Sequence, residues 1–143
     1  MTERDRENWH KGLRYCVRLL IKHPSIDPAV ITQRLGIQPS GPTWKVGTAR
    51  TTPKGKPVSG VYRESTWSHS VEVHDKRSFF DEVVELLKCL EPNREFLSEL
   101  ADSGGRAELI LDLFGDRNIG DSLSWEHLER LAALRLNLGV EVF

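Results

Sequence analysis

Two kinds of residue alternate along Leu13–Lys22, LRYCVRLLIK. One side of the alternation carries Leu13, Tyr15, Val17, Leu19 and Ile21, and the other carries Arg14, Cys16, Arg18, Leu20 and Lys22. Successive side chains of a strand point to opposite faces. A period of two therefore predicts a β-strand with one buried face and one largely polar face.

A helix is predicted directly after this strand. Asp27 has the residue type that caps helix N-termini, and Pro28 is well suited to the first helical position. Gly36 is placed to end the helix, because glycine adopts the left-handed conformation of a helix C-terminus without a steric penalty. These start and stop signals agree with each other.

The rest of the chain repeats this kind of pattern. Strands are predicted over residues 61–73, 107–114 and 136–142, and helices after the N-caps Ser78 and Ser124. The order is β-α-β, a helical segment, then β-α-β. It predicts an α+β fold, a ferredoxin-like two-layer sandwich. Its four-stranded sheet is expected to be mainly antiparallel, with the helices on one face and the middle helical segment as an insertion.

Length and composition favour one cytoplasmic domain. The 143 residues fit a single domain over 1–143, with residues 1–12 as a flexible N-terminal segment. The start of the chain is mixed in charge and lacks the apolar segment of a secretory signal. The two cysteines, Cys16 and Cys89, have no metal-binding spacing, and we expect both to be buried thiols in a reducing compartment.

A long basic loop is predicted over residues 37–60, with a short hairpin near Trp44 as an open alternative within it. Gly36–Gly60 contains five glycines and four prolines but no acidic residue. Residues 1–63 have a net charge of +8 and residues 64–143 a net charge of −9. Such asymmetry can indicate nucleic-acid binding by the basic part, or the two parts can neutralise each other on folding. We favour the second interpretation.

No residue pattern points to catalysis, a cofactor or a metal. His69 and His74 are an odd number of residues apart on a predicted strand, so they face opposite sides and cannot share a metal ion unless a bulge intervenes. The run Gly55-Lys56-Pro57 lacks the hydroxyl residue and the spacing of a phosphate-binding loop. Cys16 lies between two arginines, which would lower its pKa if the thiol were exposed. We therefore predict that the protein is not an enzyme.

Several short motifs resemble a known family. They are Asp27-Pro28, Leu35-Gly36-Ile37-x-Pro39, Trp44-x-x-Gly47, Ser65-x-Trp67, Leu86-Leu87-x-x-Leu90-x-Pro92, Leu123-Ser124, Leu131-Ala132-x-Leu134 and Val140-x-Val142-Phe143. Together they resemble the bacterial family called domain of unknown function 4279, from about Leu13 to Phe143. The terminal Phe143 departs from the tyrosine expected there. The resemblance implies a bacterial cytosolic domain and brings no activity or site residues.

The predicted function is therefore binding, with a protein as the first choice of partner. Partners of this kind include a second copy of the chain and a toxin that the protein neutralises. The alternative is nucleic-acid binding through the basic 45–63 region, while neither a membrane nor a metal is expected. The candidate binding surface consists of Trp44, Lys45, Arg50, Lys54, Lys56, Arg63, Arg14 and Arg18.

Overall fold

The computed structural model describes residues 15–73, 78–114 and 120–143 of the chain. Its strands are β1 (Tyr15–His23), β2 (Ala49–Thr51), β3 (Pro57–Val61), β4 (Ser65–Val73), β5 (Arg106–Leu113) and β6 (Leu136–Val142). Its helices are α1 (Pro28–Leu35), α2 (Phe79–Leu90), α3 (Arg94–Asp102) and α4 (Trp125–Ala133), and one turn of 3₁₀ helix (Glu91–Asn93) joins α2 to α3.

Four of the strands form one mixed sheet, in the order β4-β1-β5-β6. β1 runs antiparallel to both of its neighbours, whereas β5 and β6 run parallel to each other. The predicted α+β class and the four-stranded sheet are confirmed. The prediction of a mainly antiparallel sheet is wrong, because the pair at one edge is parallel. The ferredoxin-like topology is not confirmed.

The mixed sheet results from two different routes back to it. After β5 the chain returns through α4 and enters β6 in the same direction, as a helical crossover does between parallel strands. Between β1 and β4 the chain runs along the sheet one more time than it does between β5 and β6. Residues 38–46, called the strap from here on, run beside β4, where Trp44 and Thr66 form an antiparallel bridge. That extra pass makes β4 antiparallel to β1.

The core lies between the helices and one face of the four-stranded sheet. The β1 residues on this face, at most 7% exposed, are Tyr15, Val17, Leu19 and Ile21. They belong to one apolar cluster that includes residues from all four helices described above. The buried face predicted from the alternation of the first strand is thus confirmed.

The helix boundaries follow from local sequence. The side chains of Asp27, Ser78 and Ser124 each accept a hydrogen bond from a backbone N–H in the first turn of the helix that follows. Gly36 ends α1 with a φ of 68°, in the left-handed region that favours glycine. The predicted start signals of these helices are confirmed.

Candidate functional site

The strap is held along the free edge of β4 by main-chain hydrogen bonds. The N–H of Ser40 donates to the carbonyl of Ser68 at 3.0 Å. Trp44 and Thr66 exchange two bonds of 3.0 and 2.8 Å. The backbone N–H of Val46 donates to Ser65 Oγ at 3.0 Å. The strap therefore covers an edge that would otherwise present unpaired backbone groups.

One histidine helps to anchor the strap. Nδ1 of His69 lies 2.8 Å from the carbonyl oxygen of Gln38, so this nitrogen carries a proton and donates it. Ser40 Oγ accepts a hydrogen bond from the N–H of Ser70 at 3.0 Å. His69 thus has a structural partner in the strap. His74 lies outside the described residues. Among the residues that are described, no group of three or more His, Cys, Asp or Glu could hold a metal ion.

Beyond the strap the chain forms a hairpin from β2 and β3. Trp44 stacks on Tyr62 with ring centroids 5.3 Å apart and planes 13° from parallel. The N–H of Gly47 donates to the Tyr62 carbonyl at 2.8 Å, and the N–H of Tyr62 donates to Thr48 at 3.0 Å. These contacts fix the base of the hairpin to the strap. The region predicted as a long loop therefore contains ordered backbone pairing.

The hairpin is rich in exposed side chains of two kinds. Its cations, all exposed, are Arg50, Lys54 and Lys56, with Arg63 just beyond β3. Its valines Val58 and Val61 are 41% and 52% exposed, and Trp44 at its base is 39% exposed. We call these residues together with Lys45 the hairpin surface. Within the described parts of the chain, Lys45 forms an ion pair, whereas the other four cations of this surface form none.

Lys45 differs from the other cations of the hairpin surface. Its ammonium lies 3.4 Å from a carboxylate oxygen of Asp27, the N-cap of α1. The backbone N–H of Ala29 lowers the pKa of Asp27, and the nearby ammonium lowers it further. The two side chains border an open groove of about 360 Å³ between α1 and the strap. Lys45 is thus partly neutralised, whereas the hairpin cations are not.

The sheet face opposite the helices, called the open face, also carries cations, but these are paired. Arg18 contacts Asp112 through Nε at 2.7 Å and Nη2 at 3.2 Å, and it reaches Glu141 at 3.4 Å. The hydrogen bond to Asp112 is the main cause of a raised pKa for Arg18. Lys22 and Arg106 both contact Glu64, at 3.6 and 3.3 Å.

The predicted binding surface therefore divides into two groups. Trp44, Lys45, Arg50, Lys54, Lys56 and Arg63 belong to the strap, the hairpin and the residues beside them. Arg18 lies instead in the middle of the open face, where carboxylates surround it. Arg14 lies outside the described residues. Sequence analysis placed Val61 at the start of one strand over residues 61–73, which the structure divides into β3 and β4, and it did not assign Val58 or Tyr62 to the binding surface.

Cys16 does not have the environment of an activated nucleophile. Cys16 is half-buried on β1, and burial raises the pKa of its thiol despite the nearby Arg18. The condition under which its pKa would have been lowered is not met. Cys89 is exposed on α2, so the prediction that both thiols are buried is wrong. Both cysteines are free.

Comparison with known proteins places the chain in a family. The model of the family described as domain of unknown function DUF4279 matches residues 13–142, nearly the whole length. The chain belongs to this family. No curated protein matches it, and no solved structure matches it. Of the helices described above, none combines the length and the apolar character needed to cross a membrane.

Proposed function

We propose that the protein is a non-enzymatic binding module that recognises an acidic protein surface through its hairpin surface. The observation that carries this proposal is the combination of exposed, unpaired cations with exposed valines on one hairpin. Protein interfaces join an apolar centre to a polar rim and are enriched in aromatic residues and arginine. Trp44 and the exposed valine on the contacting face of the hairpin would supply the centre, and the cations would supply the rim.

The anchoring of the hairpin supports a role in recognition. Stacking of Trp44 on Tyr62 and the strap bonds to β4 fix the base of the hairpin before any partner arrives. Less conformational entropy is then lost on binding, which favours affinity. An acidic partner surface would also be attracted over a distance, which raises the association rate. A toxin neutralised in the bacterial cytoplasm is one partner of this kind.

Nucleic-acid binding is the second candidate, and the same four unpaired cations favour it. Phosphates attract lysine and arginine whatever the base sequence. One feature favours a protein instead. Exposed valines contribute nothing to phosphate contacts, whereas they can be buried against an apolar part of a protein surface.

The test is a capture experiment from cell lysate with three forms of the full chain. The first is the wild type, and the second carries Lys54→Glu and Lys56→Glu on the hairpin. The third carries Lys88→Glu and Arg94→Glu on α2 and α3, a matched control because it changes the net charge by the same amount at exposed helix positions. Each capture is run with and without nuclease, at low and high salt.

The proposal predicts a protein that the wild type and the helix control retain after nuclease treatment and that the hairpin variant loses. Retention by the hairpin variant would contradict the assigned surface. Material that nuclease removes and that high salt releases would instead support nucleic-acid binding, because phosphate contacts weaken steeply with salt.

A further inference from the structure

The two edges of the four-stranded sheet differ in whether another segment of the chain covers them. The edge at β4 is covered by the strap, which pairs with Ser68 and Thr66. The edge at β6 has no strand beside it among the described residues. Natural edge strands are usually guarded by lysine, proline or a bulge. β6, with the sequence LNLGVEV, has no lysine or proline, and its pairing to β5 runs without interruption.

Three of the four helix-side residues of β6 are also poorly covered, the exception being Leu136 at 7% exposed. On β5 the residues that face the helices, Leu109 and Leu111, are 0% and 1% exposed. Their partners in the β6 register are Leu138 and Val140, which are 37% and 56% exposed. The next such residue, Val142, is 76% exposed. An apolar strip therefore runs along an unpaired strand edge.

The backbone of β6 is oriented for one more strand. The N–H of Phe143 donates to the carbonyl of Leu113, so the odd-numbered residues of this strand direct their backbone groups toward β5. Backbone groups alternate in direction along a strand. Those of Leu136, Leu138, Val140 and Val142 therefore point away from the sheet, toward the free edge.

We propose that β6 pairs antiparallel with β6 of a second copy of this chain, joining two four-stranded sheets into one of eight strands. In the register that overlaps the whole strand, a two-fold axis passes beside Gly139. Leu138 then lies opposite Val140 of the other copy, and both belong to the set with outward backbone groups. An isologous contact of this kind closes at two copies.

Side-chain chemistry favours this register. On the open face Asn137 lies opposite Glu141 of the second copy, so an amide N–H can donate to a carboxylate. On the helix side Leu138 meets Val140, which covers apolar surface in both copies. Moving the axis to Glu141 would set two carboxylates against each other, a destabilising arrangement. The strand is thus complementary to itself in the register that overlaps its whole length.

The test is the mass of the full chain in solution, measured by sedimentation equilibrium, for wild type and three variants. Val140→Pro removes an outward N–H without removing a bond to β5, which is where an edge strand tolerates proline. Val140→Lys places a charge in the apolar strip. Val140→Ala is the control, since it keeps the N–H and shortens the same side chain.

We expect two copies for the wild type and for Val140→Ala, and one copy for Val140→Lys and Val140→Pro. Circular dichroism shows whether each variant is folded. If Val140→Pro does not fold, the mass of Val140→Lys decides whether β6 forms the contact between copies. A wild type that stays a single copy at every concentration would overturn the proposal. So would a dimer that persists in the folded proline or lysine variant.

Discussion

Two surfaces of this molecule carry cations, and they differ in whether those cations form ion pairs within the chain. On the open face Arg18, Lys22 and Arg106 each have a carboxylate within 3.6 Å. On the hairpin surface the exposed cations, Lys45 apart, have no ion pair with any other described residue. The net charge of +8 over residues 1–63 therefore does not describe a surface. Only the cations without an internal partner are available to an external one.

Breaking the ion pair at the centre of the open face should reduce stability more than any other change considered below. Asp112 is 6% exposed and holds Arg18 through two hydrogen bonds. Asp112→Ala leaves a half-buried guanidinium without its main partner, and we expect the free energy of unfolding to fall by about 2–3 kcal/mol. Urea denaturation measures this change. The control is Glu85→Ala, which removes only the exposed partner of Lys88 and should cost less than about 0.5 kcal/mol. Equal losses in the two variants would contradict the expectation that the Arg18–Asp112 pair stabilises the fold more than an exposed ion pair does.

Next in expected size is a loss of stability in mild acid, because one buried group must stay uncharged. His23 is 4% exposed, and burial lowers its pKa. Its Nδ1 accepts hydrogen bonds from the N–H groups of Ser25 and Ile26, at 3.0 and 2.9 Å, and Nε2 lies 2.8 Å from Ser103 Oγ. A proton on Nδ1 would break both backbone bonds.

The direction in which stability changes with pH follows from proton binding. The unfolded chain binds this proton more readily than the folded one, so the stability is complete above the ordinary histidine pKa of 6.5 and decreases as the pH falls below it. Asp27 and Glu91 have lowered pKa values and act in a more acidic range. His23→Asn should flatten the dependence of urea midpoints on pH just below 6.5. An unchanged slope in that variant would exclude His23 as the cause.

A smaller effect is expected at the base of the hairpin. Trp44→Ala removes the ring that stacks on Tyr62, and we expect a loss of about 1 kcal/mol in the free energy of unfolding. Trp125→Ala is a matched control, since this ring is 67% exposed and stacks on no other described ring. Thermal unfolding compares the two variants. If both midpoints shift alike, the stack does not anchor the hairpin.

The smallest effect on stability should come from the hairpin cations themselves. Lys54→Ala combined with Lys56→Ala removes two exposed side chains without an internal ion pair. We expect the free energy of unfolding to change by no more than about 0.5 kcal/mol, as is usual at such surface positions. A urea titration of the double variant beside wild type is sufficient. A loss as large as that of Asp112→Ala would mean that these lysines have partners in the folded chain.

Local features were the part of the fold that could be predicted from sequence. The alternation along β1 and the caps Asp27, Ser78 and Ser124 depend on neighbouring residues, and the structure confirms them. Strand direction depends instead on how often the chain crosses the sheet. The strap pairs through its backbone, with few apolar residues and no alternation, so its pass along β4 leaves no periodic pattern in the sequence.

The candidate site was predictable only in part for the same reason. Exposed cations in a Gly/Pro-rich segment can be counted in the sequence, and six of the eight predicted site residues do belong to the strap, the hairpin and the residues beside them. The pairing of Arg18 with Asp112 joins residues 94 positions apart. No local pattern could show that the charge of Arg18 has an internal partner.

The role of the hairpin cations is tested by the affinity of the captured partner for three forms of the full chain. They are the wild type, the hairpin variant with Lys54→Glu and Lys56→Glu, and the helix control with Lys88→Glu and Arg94→Glu. We predict at least about a tenfold loss of affinity for the hairpin variant, on the order of 1.4 kcal/mol, and a near-normal affinity for the control. Equal affinities in all three forms would contradict the claim that the unpaired cations of the hairpin bind the partner.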